Sequence, residues 1–591
     1  MTQTYTGADL ISDFIAKFLF PKVFLVTGGA CAFMVDAIGR HKAVEYACFQ
    51  HEQSAAMAAD AVWRVNGQVG VTMATSGPGA TNLITGIACS WFDSIPSFHF
   101  TGQVNQEESS DHHGWKVRQA GFQETNIVNM VSGITKFARK VDSVTDLADS
   151  LWEALVSSLQ GRMGPVLIDV PMNIQKAKVS EETRTSLLNK DISQIRNSRF
   201  KIQKTSKQIL SDFLITSKRP LIIIGGGAHL SGTSHLIQKW CEKNNLPFAT
   251  SWAALSGVHR SSQMYAGSIG VYGSRLANRI VQAADSIVVF GSRLDNRQRS
   301  GNPKAFAPFA RKLVFDIDEE ELRKYENDST YEGHLFDLRE IEQLIEDLEV
   351  PSFESWQNDI NHARKHVSSG FDAATPTGGL NPYSAVQTVQ KLLPDDSILI
   401  SDCGANLCWV YQGLLPNSQE IFTAGGNSPM GYSLPAAIGA KFTKPKKTIA
   451  CFIGDGGLQM NIQELQTIIY YNLPIQLFIQ NNGGYGIIKQ FQDSYFEGRH
   501  FASGDGYSYP NFGKVVTAYG LNYFECRSEE DIRKLKLDFS KPNVIDLILP
   551  TDSLITPKLE VNKFLHNQFP YLDEDTKFLL PYEYPDSPSD F

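Results

Sequence analysis

The sequence predicts an α/β protein built from three doubly wound parallel-sheet domains. Short apolar segments rich in β-branched residues alternate with longer segments of helical periodicity along most of the 591 residues. Several apolar segments end in glycine or an acidic residue, which is typical of buried parallel strands that lead into ligand-binding turns. A chain of this length is also too long for one hydrophobic core.

The same alternation recurs in three blocks, followed by a tail. Their strand-like segments are KVFLVTGG, QVGVTMATSGPG and GPVLIDVP in residues 1–180, PLIIIGGG, DSIVVFGSR and RKLVFDID in residues 201–350, and DSILISDCG, KKTIACFIGDGG, LPIQLFIQNN and PNVIDLILP in residues 375–555. The polar segment 178–200 is predicted to be a linker. The Pro- and acid-rich tail 556–591 is predicted either to cover the domains or to be disordered.

Composition argues against several function classes. The net charge is −9 and no block of Lys and Arg stands out, so neither nucleic acid nor a membrane surface is expected as a partner. No apolar run reaches the roughly 18–20 residues of a membrane span, and Asp13 and Lys17 interrupt the N-terminal apolar segment, so we expect a cytoplasmic protein. The eight scattered cysteines form no CxxC pair and are predicted to be reduced.

One strand–helix–strand segment carries an acid at its start and an amide at its end. GDGGLQMNIQELQTIIYYNLPIQLFIQNN places Asp455 after the first predicted strand and Asn482 after the second, so both are expected at one sheet edge. Carboxylate, amide and backbone carbonyl oxygens are ligands that Mg²⁺ accepts, and two diphosphate oxygens and a water would complete its octahedron. A plain strand-end turn is the alternative; the spacing favours a metal-bridged diphosphate site.

This segment resembles the diphosphate-binding motif of thiamine-diphosphate (ThDP) enzymes, and GDGGLQMNIQELQTI is similar to acetolactate synthases in particular. The resemblance covers about residues 5–550. It implies a pyrimidine-binding domain in the first block, a central FAD-type domain in the second and a diphosphate-binding domain in the third. In that family the two ThDP-binding domains meet across a dimer interface, so a homodimer or homotetramer is implied. The family also implies Asp455, Asn482 and Gly484 as the magnesium ligands.

The segment FQHEQSAAMAAD at residues 49–60 contains the candidate catalytic carboxylate. Glu52 matches the family's glutamate, which activates the cofactor through its aminopyrimidine ring. A glutamate in an Ala-rich helix is by itself more often a capping or solvated residue. The diphosphate motif elsewhere in the chain favours the catalytic role.

The resemblance implies further contacts to the cofactor rings and diphosphate. They lie in the segments TSGPGATN, DCGAN, GGNSPMGY and GDGG and after the second strand of the motif, and they are Pro78, Asn82, Cys403, Gly404, Ala405, Asn406, Ser428, Met430, Gly456, Gly457 and Tyr485. Met430 corresponds to the bulky residue that bends ThDP into a V, and the Ser428 carbonyl is expected to accept from the pyrimidine amine. The synthases usually have Gln-His where this chain has Ala405 and Asn406.

The resemblance also implies a pocket for a 2-oxo acid. Gly29, Phe122 and Gln123 match residues that line the reaction pocket, and we take them with Glu52 as catalytic candidates. Lys136 and Arg297 match basic residues at the pocket mouth, where a guanidinium suits a carboxylate. Ordinary surface charges are the alternative interpretation of both.

Two departures from the synthases affect the acceptor side. Phe491 occupies the position of a tryptophan that selects the second 2-oxo acid, and the loop containing His112 and His113 is longer than its synthase counterpart. The histidines are candidates for substrate binding or plain exposed loop residues. We therefore expect a carboligase that decarboxylates pyruvate as an acetolactate synthase does. The alternatives are transfer to a ketone or keto-deoxysugar and simple decarboxylation, while a non-catalytic protein on a ThDP scaffold is disfavoured.

The second block is predicted to bind FAD. IIIGGGAHLSG alone is a weak signal, but GSRLDNR and LVFDIDEEEL also match the flavin-binding pattern of acetolactate synthases. Gly226, Arg293, Asp316 and Asp318 are the candidate contacts. Because flavin has no redox role in the synthases, its presence would not imply an oxidoreductase. An empty domain is the alternative.

Overall fold

The computed structural model describes residues 4–195, 204–417, 419–572 and 579–590. In these ranges the strands form three six-stranded sheets and one two-stranded ribbon. Every strand pair in the three large sheets is parallel, and helices flank each sheet. The predicted fold class, three α/β domains with parallel sheets, is confirmed.

The first domain has the strand order β2-β1-β3-β4-β6-β5. Its strands are β1 Lys22–Leu25, β2 Glu45–Cys48, β3 Gly70–Ala74, β4 Ser97–Gln103, β5 Phe137–Lys140 and β6 Val166–Pro171. Its helices are α1 Gly7–Phe18, α2 Ala32–Arg40, α3 Glu52–Asn66, α4 Pro78–Asn82, α5 Ile84–Asp93, α6 Ser110–His113, α7 Ile127–Val131, α8 Val144–Leu159, α9 Met172–Lys176 and α10 Glu181–Leu188.

The central domain has a different order, β12-β11-β10-β7-β8-β9. Its strands are β7 Pro220–Ile224, β8 Phe248–Thr250, β9 Tyr265–Ser268, β10 Ser286–Phe290, β11 Arg311–Asp316 and β12 Tyr331–Leu335. Its helices are α11 Lys204–Ile215, α12 Gly226–Leu230, α13 Ser234–Lys243, α14 Arg275–Ala283, α15 Asn296–Arg299, α16 Glu319–Arg323, α17 Ile341–Ile345 and α18 Glu354–His366. Read from β7, this is the order of dinucleotide-binding sheets, with its switch point between β7 and β10.

The third domain repeats the order of the first, β14-β13-β15-β16-β18-β17. Its strands are β13 Ile398–Ser401, β14 Glu420–Phe422, β15 Ile449–Gly454, β16 Ile475–Asn481, β17 Asn522–Cys526 and β18 Asn543–Ile548. Its helices are α19 Pro382–Leu392, α20 Gly404–Gly413, α21 Ser433–Thr443, α22 Asp455–Met460, α23 Leu465–Tyr470, α24 Gly486–Tyr495, α25 Phe512–Ala518 and α26 Glu529–Lys534. The ribbon pairs β19 Lys558–Leu559 with β20 Gln568–Phe569.

The inner strands are buried along their whole length. All residues of β3, β4, β7, β10 and β16 are buried, which requires cover on both faces of each sheet. Burial on both faces explains why β7 and β10 appear in the sequence as continuous apolar runs rather than alternating ones. Strands β4 and β16 also bury polar residues, such as His99 and Gln476. The strand-like segments identified from the sequence correspond to β1, β3, β6, β7, β10, β11, β13, β15, β16 and β18.

The first and third domains share one hydrophobic core through α3 and α21. Both helices are rich in alanine, and all of their buried alanines except Ala56 belong to a single apolar cluster. A Cβ on Gly439 would lie 2.2 Å from the Ala58 carbonyl oxygen, so the two backbones touch where glycine stands. Small residues at this contact allow the helices to approach closely, and they place the start of α3 beside the third domain.

Parts of the predicted linker and tail are structured. Helix α10 lies in the segment predicted as a linker, with Leu187 buried against the first domain, while residues 196–200 are outside the described ranges. In the described part of the tail, Leu559 and Leu565 join the core of the central domain, and Arg219 donates a 2.7 Å hydrogen bond to the Tyr582 hydroxyl. These contacts agree with a covering tail.

None of the helices in the described ranges has both the length and the apolarity needed to cross a bilayer. All eight cysteines are free thiols, and six of them are buried. A buried free cysteine packs as a small apolar side chain, so the thiols add to the cores rather than cross-link them.

Candidate active site

Asp455 and Asn482 lie at the same edge of the third sheet. Strands β15 and β16 pair in register up to Gly454 opposite Gln480, so the next residues of both strands leave the sheet side by side. The Asp455 carboxylate accepts 3.0 Å hydrogen bonds from the backbone N–H groups of Gly456 and Gly484. The carboxylate therefore links the two turns directly.

The chemistry of this edge fits a cation and a diphosphate. Asp455 is 2% exposed, and burial raises the pKa of its carboxyl to about 6. Asn482 is 3% exposed, and its Nδ2 has no hydrogen-bond partner among the described residues. A buried amide donor without an acceptor suits a phosphate oxygen. The described residues contain no cluster of three or more His, Cys, Asp or Glu for a metal, so a cation here would need the ligand's oxygens and backbone carbonyls such as that of Gly484.

Two glycines bring backbone close to this edge. A Cβ on Gly456 would lie 2.5 Å from Cε1 of Tyr485, and one on Gly457 would lie 2.7 Å from Oδ1 of Asp402. The methyl group of Met430 would be 3.3 Å from the same Cβ on Gly456. The candidate cofactor residues Met430, Gly456, Gly457 and Tyr485 therefore form one contiguous group.

Asp402 fastens the Met430 segment, and the sequence analysis did not identify it as a functional residue. Its carboxylate is 1% exposed and accepts from the backbone N–H groups of Gly431 at 2.9 Å and Ser433 at 3.0 Å, and from the Ser433 hydroxyl at 3.1 Å. Burial raises the pKa of this carboxyl. The sequence feature that could have identified Asp402 is its position as an acidic residue directly after a predicted strand.

The segment after β13 offers backbone more than side chain. Gly404 has φ +74°, and Cys403 precedes α20 with a thiol whose pKa burial raises strongly. The Asn406 side chain accepts from the Ser401 hydroxyl and the Asp402 N–H, each at 3.1 Å, and donates to Gln480 at 2.6 Å. The side-chain amide of Asn406 is thus hydrogen-bonded within the protein. The backbone of Cys403, Gly404 and Ala405 remains available to contact a ligand.

Ser428 has a strained backbone. Its φ of +51° is rarely adopted by a residue with a side chain, and its N–H donates to the Ala424 carbonyl at 2.8 Å. Strain of this kind is concentrated at ligand sites. The tight turn fixes the position of Ser428 just ahead of Met430.

In the first domain, Glu52 is held by a neighbouring candidate residue. It is the first residue of α3, is 8% exposed, and its Oε2 accepts a 3.0 Å hydrogen bond from Nδ2 of Asn82. Pro78 begins α4, the short helix that ends at Asn82. A Cβ on Gly79 would lie 3.2 Å from Oε1 of Glu52, so this glycine keeps room beside the carboxylate. Asn82 therefore orients the candidate catalytic group.

The chain just before Glu52 is fastened to the third domain. The Gln50 N–H donates to the Glu464 carboxylate at 3.2 Å, and the Ser54 hydroxyl donates to Asn461 at 3.1 Å. Glu464 is fully buried and also accepts from Thr467 at 2.6 Å. The sequence did not assign a role to Asn461 or Glu464. The one feature that could have indicated a role is the position of Glu464 within an apolar, helix-like segment.

The pocket-lining candidates of the first domain lie on two turns. A Cβ on Gly29 would meet nothing within 4 Å, so its backbone faces open space. Gln123 has φ +60°, and a Cβ on Gly77 would lie 2.9 Å from that of Gln123, so its loop touches the turn that precedes Pro78. Phe122, at the tip of this loop, is 84% exposed.

The remaining substrate candidates are spread over several surfaces. His112 and His113 are exposed; His113 stacks on Trp115 at 4.1 Å and lies 2.8 Å from the Glu107 carbonyl. Phe491 is 41% exposed and packs against Tyr495, with ring centroids 4.7 Å apart. The structure thus holds the loop histidines and Phe491 by aromatic contacts with their neighbours.

The two basic candidates differ in their surroundings. The Lys136 ammonium donates to the Gln160 carbonyl at 2.5 Å, and burial lowers its pKa to about 8. Arg297 lies in the central domain near Cys403, where its positive charge opposes the rise in the thiol pKa. Arg297 also lines the cleft described next.

A cleft of about 820 Å³ opens at the switch point of the central sheet and extends to the other two domains. Gly226 follows β7, Arg293 follows β10 and Asp316 ends β11, and all three line the cleft. Asp318 instead accepts from Arg162, a cleft residue of the first domain, at 2.9 Å. In such sheets ligands bind at the carboxyl ends of strands beside the switch point.

Comparison with known proteins matches all three domains to one family. Residues 5–130, 208–334 and 402–546 match the N-terminal TPP binding, central and C-terminal TPP binding domains of thiamine pyrophosphate enzymes. The acetolactate synthase large subunit of Lactococcus lactis is 29% identical over 94% of both chains, and that of Cyanidium caldarium is 30% identical over 94% of this chain and 95% of its own. The isozyme 1 large subunit of Escherichia coli is 30% identical over 90% of this chain and 91% of its own. The chain therefore belongs to the thiamine pyrophosphate enzymes, as an acetolactate synthase-like member.

Proposed function

We propose that this protein is a ThDP- and Mg²⁺-dependent carboligase that decarboxylates pyruvate and joins the two-carbon unit to a carbonyl acceptor. The observation that carries the proposal is a pair of complementary half-sites. One is a buried glutamate oriented by Asn82; the other is the Asp455–Asn482 edge with an unpartnered amide. The names of the relatives support a second 2-oxo acid as acceptor over a ketone, a keto-deoxysugar or simple decarboxylation.

Each group has a distinct task in this proposal. ThDP, when bound, supplies the electron sink for decarboxylation and carbon–carbon bond formation. Glu52 would hold or pass a proton at its carboxylate toward the cofactor ring, and Asn82 fixes the direction of that carboxylate. Asp455, Asn482 and the Gly484 carbonyl would hold Mg²⁺ beside the diphosphate.

The segment between β14 and α21 would hold the rings of the cofactor. Met430 would support ThDP in a bent form, and the Ser428 carbonyl would accept a hydrogen bond from the pyrimidine amine. Gly29, Gln123 and Phe122 line the space where the pyruvate carbonyl reacts. Lys136 and Arg297 attract its carboxylate, and Phe491 with the His112–His113 loop limits the acceptor.

We further propose a homodimer or a dimer of dimers in which each site is shared. Within the described ranges, the hydrogen bonds of the Glu52 side chain stay in the first domain. The family organisation pairs this half-site with the diphosphate edge of a second copy. The domain boundaries 1–180, 201–350 and 375–555, the tail 556–591 and a cytoplasmic location belong to the same proposal.

We also propose FAD as the ligand of the central cleft. The sheet has the strand order of dinucleotide-binding domains, Gly226 lines the cleft just after β7, and the cleft is large enough for an extended dinucleotide. Arg293 and Asp316 line it at the ends of neighbouring strands. Asp318, through its ion pair with Arg162, holds the cleft wall. The proposed flavin has no redox role.

The test is a product assay on the purified protein with ThDP, Mg²⁺ and FAD. Pyruvate is supplied alone, then with 2-oxobutyrate, a ketone or a keto-deoxysugar, and products are identified by mass spectrometry. Acetolactate from pyruvate alone is the expected result. A branched tertiary alcohol only with the ketone or sugar would replace the acceptor assignment, and free acetaldehyde would reduce the protein to a decarboxylase. Consumption of no 2-oxo acid would refute the proposal.

A further inference from the structure

A buried ionic cluster connects the first domain to the segment 423–432, which carries Ser428 and Met430. The Arg64 side chain is 11% exposed and donates to Asp60 at 2.6 Å, to Asp93 at 2.8 Å and to the Thr423 carbonyl at 2.9 Å. Asp60 is fully buried. One guanidinium therefore holds two carboxylates of the first domain and a backbone carbonyl of the third.

Both carboxylates also bind the segment 423–432 directly. Asp93 accepts a 2.8 Å hydrogen bond from the Gly426 N–H, and Asp60 accepts from the Tyr432 hydroxyl. The segment is thus attached near its start, in its middle and at its end. The strained Ser428 lies between the second and third attachments.

The same cluster forms a wall of the central cleft. Arg64 and Asp93 line it from the first domain, and Thr423 and Gly425 line it from the third. His229, on the central-domain side of the cleft, has its pKa lowered to about 4 by burial and by the charge of Arg64. A ligand in the cleft would therefore contact the groups that hold the segment of Ser428 and Met430.

We infer that Arg64 is a positioning residue for the ThDP site, and that it couples this site to the central cleft. The inference rests on the proposed function. A cleft ligand that packs on Arg64 and Asp93 restrains the segment 423–432, so ThDP binds a segment that is already ordered. The coupling is reciprocal: bound ThDP must raise the affinity of the cleft ligand by the same factor.

The experiment measures ThDP affinity rather than turnover. Apoprotein is titrated with ThDP in excess Mg²⁺ by calorimetry, with and without saturating FAD, and FAD is titrated by fluorescence with and without ThDP. We expect each cofactor to strengthen the other by a common factor in the range of about 5- to 150-fold. The variant Asp93→Asn keeps the shape of the side chain while weakening its bond to Arg64, and it should reduce both factors together.

Arg64→Gln is the stronger variant, but it leaves two buried carboxylates without their cation and risks misfolding. The matched control is Arg162→Gln, because Arg162 also lines the cleft but pairs with Asp318 and Glu321 rather than with the segment 423–432. The control should weaken FAD binding and leave ThDP affinity without FAD unchanged.

The outcomes separate this inference from the proposed function. ThDP binding that is equally tight with and without FAD, or unaltered coupling in Asp93→Asn, would overturn the coupling while the ThDP assignment stands. A loss of ThDP affinity without FAD in the Arg162→Gln control would overturn the role of Arg64, since any damage to the cleft would then have the same effect. Wild-type protein that binds no ThDP in Mg²⁺ would refute the proposed function itself.

Discussion

Glu124 closes the loop that carries Gln123. Its half-buried carboxylate accepts four hydrogen bonds: from the Ser110 N–H at 2.8 Å and its hydroxyl at 2.7 Å, and from the N–H groups of Ala120 at 2.9 Å and Gly121 at 3.2 Å. Partial burial alone would raise its pKa, but the hydrogen bonds from Ser110, Ala120 and Gly121 outweigh it and lower the pKa. One carboxylate thus joins the two ends of an extended loop beside the Gly77 turn.

The substitution Glu124→Gln replaces one acceptor oxygen with an NH₂ group, so one of the two pairs of donors loses its partner. Hydrogen bonds to a charged group contribute about 1.5–3 kcal/mol each, and partial exposure places these near the low end. We therefore expect the loss of two such bonds to lower the local stability of the loop by about 3 kcal/mol, which is about 150-fold in its opening equilibrium. The free energy of global unfolding should change less, because the loop lies outside the main cores.

Hydrogen exchange of the Ser110, Ala120 and Gly121 amides measures this opening. Because the folded pKa of Glu124 is depressed, its stabilisation is present above the unfolded value of about 4.3 and is lost as pH falls through the folded pKa. Wild-type protection should decline in that acidic range, and the variant should show no such decline. Glu107→Gln is the control, since this carboxylate lies on the same loop with no hydrogen bond or ion pair in the part of the chain described. Unchanged exchange in Glu124→Gln would refute the reasoning.

Three further predictions concern the site itself. Glu52→Gln should reduce turnover of pyruvate by about 10²- to 10⁴-fold while ThDP affinity by calorimetry stays nearly unchanged; near-full turnover would remove the catalytic assignment. Gly457→Ala would place a Cβ 2.7 Å from Asp402 and should cost about 1–3 kcal/mol in ThDP binding or thermal stability, whereas Gly454→Ala, where nothing lies within 4 Å, should not; equal effects would contradict the packing argument. Phe491→Ala should change the product ratio between two competing 2-oxo acid acceptors by about tenfold without altering ThDP affinity, and an unchanged ratio would remove Phe491 from the acceptor pocket.

The sheets and their turns were predictable because their signals are local. A buried parallel strand requires a continuous apolar run, and a ligand-bearing turn requires glycine, so β15 and the turn at Asp455 are visible in a short window of sequence. Helix α3 was likewise indicated by its alanine-rich segment. A short stretch of sequence does not determine the order of the strands in a sheet, because that order depends on contacts between distant segments.

The residues that hold the site together were missed for the same reason. Asp402 binds Gly431, Arg64 binds Thr423 and Glu464 binds Gln50, each through a hydrogen bond between segments far apart in the chain. A buried carboxylate or guanidinium is indistinguishable from a surface one until its partner is known. Asn406 shows what the motif did not reveal: its side-chain amide donates a hydrogen bond to Gln480 within the protein, and its predicted contact to the cofactor stays a prediction.

In the proposed function, two similar domains supply different halves of one site, and their repeated topology explains how. In both, the candidate residues follow strands at the carboxyl edge: Gly29 and Cys403 follow the first strand of their sheets, and Pro78 and Asp455 follow the third. The edge geometry is the same, so the chemistry differs only through the side chains placed there. An acid after β15, at the same sheet edge as Asn482, suits a cation and phosphate. A proline after β3 brings no charge, which suits an uncharged ring beside Glu52. The different roles of the two domains therefore follow from the side chains at equivalent strand ends. The shared strand order alone does not determine which half of the site each domain forms.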